Sequence, residues 1–151
     1  MERRAFISTS AQLALLTAAG AGLSGCSIGG LLYSSRDIPL QPGTARITLD
    51  DAPVLKTEGG AVKKRFEGVN DGNVIVLVGI GDGTIAAFAA QCPHRGAEVG
   101  LPENGVMTCP FHGSQFASMD GSVKKGPAAS SLRALTVRQE SSGTSFIIAD
   151  E

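Results

Sequence analysis

The chain has no tryptophan, one tyrosine and two histidines among 151 residues, and its 13 basic and 14 acidic side chains nearly cancel. Each shortage removes a class of function. A formal charge of −1 provides no bulk attraction to nucleic acid or to an anionic membrane surface. No apolar run reaches the ~20 residues that a membrane-spanning helix needs. A 3.6-residue apolar period is barely visible after residue 40, and no repeat of fixed period occurs, which disfavours a helical protein. What remains is 42% hydrophobic content with 20 glycines and seven prolines, enough for one domain with a real core and too short for two. The expectation is an all-β, turn-rich antiparallel domain.

Glu2-Arg3-Arg4-Ala5-Phe6-Ile7 stands just ahead of an apolar run from Ala11 to Leu23 that is rich in Ala, Leu, Gly and Thr. Its length and small residues suit the apolar region of an export signal leading to a processing site. The paired arginines resemble a twin-arginine signal, the route for proteins already folded around a cofactor. Leu23-Ser24-Gly25-Cys26 resembles a bacterial lipobox, whose cysteine is lipidated and becomes the first residue of the mature chain. Residues 1–25 are therefore expected to be a signal peptide and Cys26 a lipid anchor, placing the protein in the cell envelope, outside the cytoplasm and held at a membrane. Residues 26–45, rich in Ser, Gly and Pro with scattered Leu, read as a flexible tether of roughly 25 Å root-mean-square span.

Residues 46–151 read as a succession of short strands. Arg46-Ile47-Thr48-Leu49, a stretch around Val62 to Val69, and Val74-Ile75-Val76-Leu77-Val78 come first, the last expected to be central. Gly81-Asp82-Gly83 supplies positive-φ residues for a hairpin, and Thr84 to Ala90 returns to deliver Cys92. No Lys-Ser/Thr and no helix follow Gly79, Gly81 and Gly83, so that run is a turn and not a phosphate loop. Val106-Met107-Thr108 leads into Cys109, and Ser114-Gln115-Phe116 leads away from His112. Asp120-Gly121 is a turn, Val123 starts another strand, Gly126-Pro127-Ala128 breaks it, and Leu132–Val137 with Thr144–Ile148 form a closing hairpin. The basic runs Lys63-Lys64-Arg65 and Lys124-Lys125 read as solvated faces.

Both histidines lie in two short loops, Cys92-Pro93-His94-Arg95-Gly96 and Cys109-Pro110-Phe111-His112-Gly113-Ser114, each offering one thiolate and one imidazole. Four such ligands could hold a single tetrahedral zinc. Zinc sites commonly take two cysteines from one knuckle and two histidines at helical spacing. Here each loop contributes one of each, as Cys-x-His and Cys-x-x-His, a split that suits a two-iron cluster with both cysteines on one iron and both histidines on the other.

These loops resemble the Rieske [2Fe–2S] motif, with 14 residues between His94 and Cys109. The resemblance extends to Phe116, Asp120-Gly121 and the proline-containing Gly126-Pro127-Ala128, and so to residues 46–151. It implies a Rieske-type antiparallel β-sandwich with a cluster-binding subdomain formed by two loops, one [2Fe–2S] cluster bound by Cys92, His94, Cys109 and His112, and a loop around Pro127 covering it. It also implies that the imidazoles stand at the protein tip and couple electron uptake to proton uptake. Ser114 matches the serine that bonds a bridging sulfide in the respiratory, quinol-oxidising members. Phe116 stands where those members carry tyrosine, so one hydroxyl donor is missing and a depressed potential is expected; Tyr33 lies in the tether and does not replace it. Ala97 and Phe111 occupy the positions of those members' loop-to-loop disulfide, and Arg95 replaces an apolar residue near the quinol, which counts against quinol contact.

With two cysteines as ligands and Cys26 as anchor, no cysteine is left for a disulfide. With both histidines in the loops, none is left for the mononuclear iron of a catalytic oxygenase. The expected function is a one-electron carrier rather than a stand-alone catalyst: an exported, membrane-anchored Rieske protein, alone or as the iron–sulfur subunit of a respiratory or oxidase complex, with a redox protein or membrane complex as partner. The alternative is a ferredoxin supplying an oxygenase.

Overall fold

A strand shows alternate side chains to its two faces, yet five consecutive residues of the strand Val74–Gly81 are buried. In the computed structural model, which describes residues 40–150, the reason is that this strand has a core on each side. Ile75 and Leu77 enter one core, Val76 and Val78 a second. Its continuous apolar run reports this double cover.

Nine antiparallel strands build the described residues: β1 (Thr44–Thr48), β2 (Ala61–Arg65), β3 (Val74–Gly81), β4 (Thr84–Ala89), β5 (Val106–Thr108), β6 (Gln115–Ala117), β7 (Val123–Lys125), β8 (Ala134–Gln139) and β9 (Ser145–Ala149). Among these residues there is no α-helix, only 3-10 turns at Pro53–Lys56 and Asn70–Gly72. Six strands form one sheet in the order β1-β9-β8-β4-β3-β2, and β5-β6-β7 form another. The halves of the large sheet meet through two residue pairs, Ala87 with Leu135 and Phe88 with Ala134. The first core collects Ile47 of β1, Phe146 and Ile148 of β9, Leu135 of β8, and Ile75 and Leu77 of β3. The small sheet packs on the other face of β3 and β4, so this core is covered by the large sheet curling over on itself. The all-β sandwich expected from sequence is thus the observed architecture.

Several strand boundaries differ from expectation, three of them with consequences for the packing. The first strand begins at Thr44, pairing Thr44 with Ala149 and Ala45 with Ile148, so the last two residues assigned to the tether belong to the sheet. β2 ends at Arg65, because Gly68 and Asn70 take positive φ and turn the chain while Val69 is buried in the first core. The last hairpin starts at Ala134; Leu132 instead fills the second core, its N–H donating to Gly121 O at 3.0 Å. The expected signal (1–25), Cys26, Tyr33 and the tether up to residue 39 lie outside the described residues. No helix among the described residues is long and apolar enough to cross a membrane.

The glycine-rich run does structural work of two kinds. Asp82 and Gly83, at φ +50° and +68°, form the two-residue type I′ loop whose twist matches the flanking strands. At Gly79 the requirement is space: a Cβ there would lie 2.4 Å from Leu55 O. That close approach lets Gly79 exchange hydrogen bonds of 2.8 Å with Gly59 and Gly60, which docks the Pro53–Lys56 turn and buries Leu55.

A half-buried ion pair ties β1 to the β8–β9 hairpin. Arg46 donates to both carboxylate oxygens of Glu140, at 2.9 and 3.0 Å, and the Ser145 hydroxyl donates to the same carboxylate. The Ser145 hydroxyl first and the Arg46 guanidinium second hold the Glu140 carboxyl below its ordinary 4.5. A lowered carboxyl stabilises the fold above its unfolded pKa and loses that contribution as pH falls through the folded one. Glu140→Gln should therefore cost about 1–2 kcal/mol at neutral pH. In denaturant titrations the difference between the two proteins should shrink as pH falls below the carboxyl's ordinary 4.5 and through its lowered folded value.

Candidate metal centre

Two loops with one backbone design form the site. In the first, the Cys92 N–H donates to Ala97 O at 2.7 Å and the Gly96 N–H donates to Cys92 O at 2.8 Å. In the second, the Cys109 N–H donates to Ser114 O at 2.8 Å and the Gly113 N–H donates to Cys109 O at 3.0 Å. Each loop thus closes from a cysteine onto the fifth residue beyond it, with a glycine at the fourth. Both glycines, Gly96 and Gly113, take φ +74°, a region costly for other residues. The stems are joined, since the Gly100 N–H donates to Thr108 O at 2.8 Å.

Within this shared frame the histidines are offset by one position, and the offset brings them together. Their ring centroids stand 4.8 Å apart at an interplanar angle of 86°. His112 is exposed and His94 half-buried. Both cysteines are free and 1% exposed, embedded in the second core with Val76, Val78, Phe88, Met107 and Phe116.

The donor set fits a two-iron, two-sulfide cluster. His94 Nδ1 is buried without a hydrogen-bond partner, an arrangement costly unless the lone pair is used, as it is in ligation. The two thiols are soft donors. Among the described residues no three Cys, His, Asp or Glu side chains stand close enough to share one metal ion.

Ser114 is fully buried, and its Oγ accepts from the Ala128 N–H at 3.0 Å. An acceptor bond leaves the hydroxyl proton free to be donated elsewhere. The same bond fastens the loop of Gly126, Pro127 and Ala128 to the second ligand loop, with Ala128 buried and Pro127 exposed. Phe116 is fully buried opposite Met107, in the core that holds both cysteines, and brings no hydroxyl there. At the two positions singled out for a disulfide, Ala97 packs against the second core while Phe111 is 74% exposed. Arg95 is exposed beside His94.

Sequence reasoning missed the groups behind the first loop. Gln91, next to Cys92, accepts from Asn70 Nδ2 at 3.0 Å, and Asn70 is bonded in turn to Arg133 and Asp150. Asn70-Asp71-Gly72 was legible as a turn signal. Nothing in the chain's order joins residues 70, 91, 133 and 150.

No curated protein matches the chain at a significant level. Among solved structures it is similar to the cyanobacterial plasma membrane Rieske protein PetC3 from Synechocystis PCC 6803, at 24% identity over 74% of this chain and 100% of that one, with a TM-score of 0.54. The ferredoxin of carbazole 1,9a-dioxygenase from Nocardioides aromaticivorans IC177 matches at 23% identity over 72% and 98% of the two chains, with a TM-score of 0.52. The quaternary ammonium Rieske monooxygenase CntA matches at 28% identity and a TM-score of 0.52, over 66% of this chain and 30% of its own. Residues 48–136 match the family model of the Rieske [2Fe-2S] domain; this chain belongs to that family, and its cofactor is one [2Fe–2S] cluster.

Proposed function

We propose that this protein is an electron carrier exported from the cytoplasm and held at a membrane through lipidated Cys26, with Cys92 and Cys109 binding one iron and His94 and His112 the other. The observation that carries the electron-transfer part is the division of the donors: thiols in the core, His112 exposed at the surface with His94 beside it. A partner meets the imidazole end, while the anionic ligands stay out of water. When bound, a cluster with two imidazole ligands supplies a one-electron couple between roughly −150 and +300 mV. The chain's own residues hold the donors and set the local hydrogen bonding. Ser114 has a proton to give toward a cluster sulfur, and Phe116 has none.

Both histidines are committed to the loops, so this chain acts as a carrier and not as an oxygenase by itself. It works alone or as the iron–sulfur subunit of a respiratory or oxidase complex, passing electrons to a redox protein or membrane complex. Export rests on Arg3-Arg4, the apolar run to Leu23 and the Leu23–Cys26 motif.

A second reading, a ferredoxin feeding an oxygenase, is favoured by Phe116, by exposed Arg95 and by the likeness to the ferredoxin of carbazole 1,9a-dioxygenase. A complex of reduced oxygenase and oxidised ferredoxin in that dioxygenase shares the fold. The mature N-terminus separates the two readings: a chain starting at a modified Cys26 supports export and rejects a cytoplasmic ferredoxin.

Phe116→Tyr should raise the reduction potential by giving a cysteine sulfur a hydroxyl donor. One neutral hydrogen bond is worth about 1 kcal/mol, or roughly 40 mV for one electron. Voltammetry reads it directly, and an unchanged or lowered potential would refute the assignment. Cys26→Ala should move the protein from the membrane fraction to the soluble fraction with its iron and sulfide content intact. Retention in the membrane would point to an uncleaved anchor or a bound partner.

A further inference from the structure

The second ligand loop is fastened from behind by Ser114 and Ala128. The first loop has no such serine and depends on a different device, centred on Asn70. This residue is 3% exposed and takes a left-handed φ of +53°, a conformation that persists in a non-glycine residue when the surroundings hold it. Its hydrogen-bonding groups are all engaged. The backbone N–H donates to Asp150 Oδ2 at 2.8 Å, and the backbone carbonyl accepts from the Asn73 N–H at 2.8 Å. Nδ2 donates to Val74 O at 2.9 Å and to Gln91 Oε1 at 3.0 Å. Oδ1 accepts from the Arg133 guanidinium, which also pairs with Asp150.

The same residues hold the strand end that leads into the loop. The Ala89 N–H donates to Arg133 O at 2.8 Å and the Ala90 N–H to Val74 O at 3.0 Å. With the Gln91 side chain, three successive residues before Cys92 are tied to one cluster of groups. A cleft of about 430 Å³ lined by Asn70, Gln91, Pro93 and Arg133 opens beside it, so the loop has room to yield on this flank.

We infer that Asn70 is a positioning residue for the cluster: through Gln91 it braces the stem of the first ligand loop and fixes where Cys92 and His94 stand, with the Arg133–Asp150 pair orienting its carboxamide. An amide is required because the brace needs a donor toward Gln91 and an acceptor toward Arg133 on one side chain. Aspartate would lose the donor and face Asp150 with a like charge. Glycine would keep the backbone conformation and lose the brace.

The inference rests on the four-ligand assignment, so iron and sulfide are counted first in the wild-type protein and in every variant; a wild-type protein without two of each overturns that assignment and not the brace. Loss of the cluster to a chelator is then timed, and the electron paramagnetic resonance spectrum of the reduced protein is recorded. Gln91→Met should lose the cluster roughly three- to tenfold faster than the wild type, the effect of one neutral hydrogen bond; Asn70→Gly, which also gives up the bonds to Val74 and Arg133, should lose it at least as fast, and both should broaden the spectrum. Gln91→Glu keeps the acceptor and should restore the slow rate. The double variant Asn70→Gly with Gln91→Met should be no faster than the faster single variant, because both remove the same contact. Unchanged rates and spectra, additive effects in the double variant, or acceleration that merely follows a lowered melting temperature would overturn the brace. Should Asn70→Gly fail to fold, the pair Gln91→Met and Gln91→Glu decides the question alone.

Discussion

Two thiols in a hydrophobic core are the constraint on which this structure depends. Cys92 and Cys109 are packed among Val76, Val78, Phe88, Met107 and Phe116, and a loop that ends in such a residue cannot drift without opening the core. Burial therefore sets the depth of both loops, and the surface position of the histidines follows from their place two and three residues further along. β3 makes this possible. Its odd residues close the curled sheet and its even residues carry the ligand-bearing layer, so one strand joins the scaffold to the site.

The repeated closure of the two loops shows how a near-symmetric frame yields an asymmetric site. Cysteine, a fourth-residue glycine at φ +74° and the fifth-residue carbonyl recur in both. Asymmetry enters through the histidine offset and through what lies behind each loop. A backbone N–H reaches Ser114 in one case, and a carboxamide reaches Gln91 in the other. With no disulfide among the described residues, the rigidity of the loops comes from such contacts: a hydrogen bond left unmade in a buried position costs more than one made there contributes.

The same layout separates two kinds of adjustment. On the proposed function, residues around the buried thiols, such as Phe116 and Ser114, would act on the electron's energy through the hydrogen bonds they supply or withhold. Residues at the exposed end, among them His112, Phe111 and Arg95, would on the same reading act on which partner is met.

The two Cys/His loops, the strands that flank them and the all-β class were legible in the chain because they are local. Cysteine and histidine at fixed spacing, turn glycines and a five-residue apolar run each carry their meaning within a few positions. The sequence by itself determined the chemistry: which soft donors exist, that they come in two matched sets, and that neither cysteine nor histidine is left over among the described residues. Tertiary structure decided the rest, because those facts depend on contacts between distant segments. Such contacts bury Ser114 against Ala128, place Leu132 in the core instead of a strand, add Thr44 to the sheet through Ala149, and gather Asn70, Gln91, Arg133 and Asp150 behind the first loop. Each residue in that group reads as an ordinary polar side chain in the sequence, and only the curled sheet brings the four within hydrogen-bonding reach.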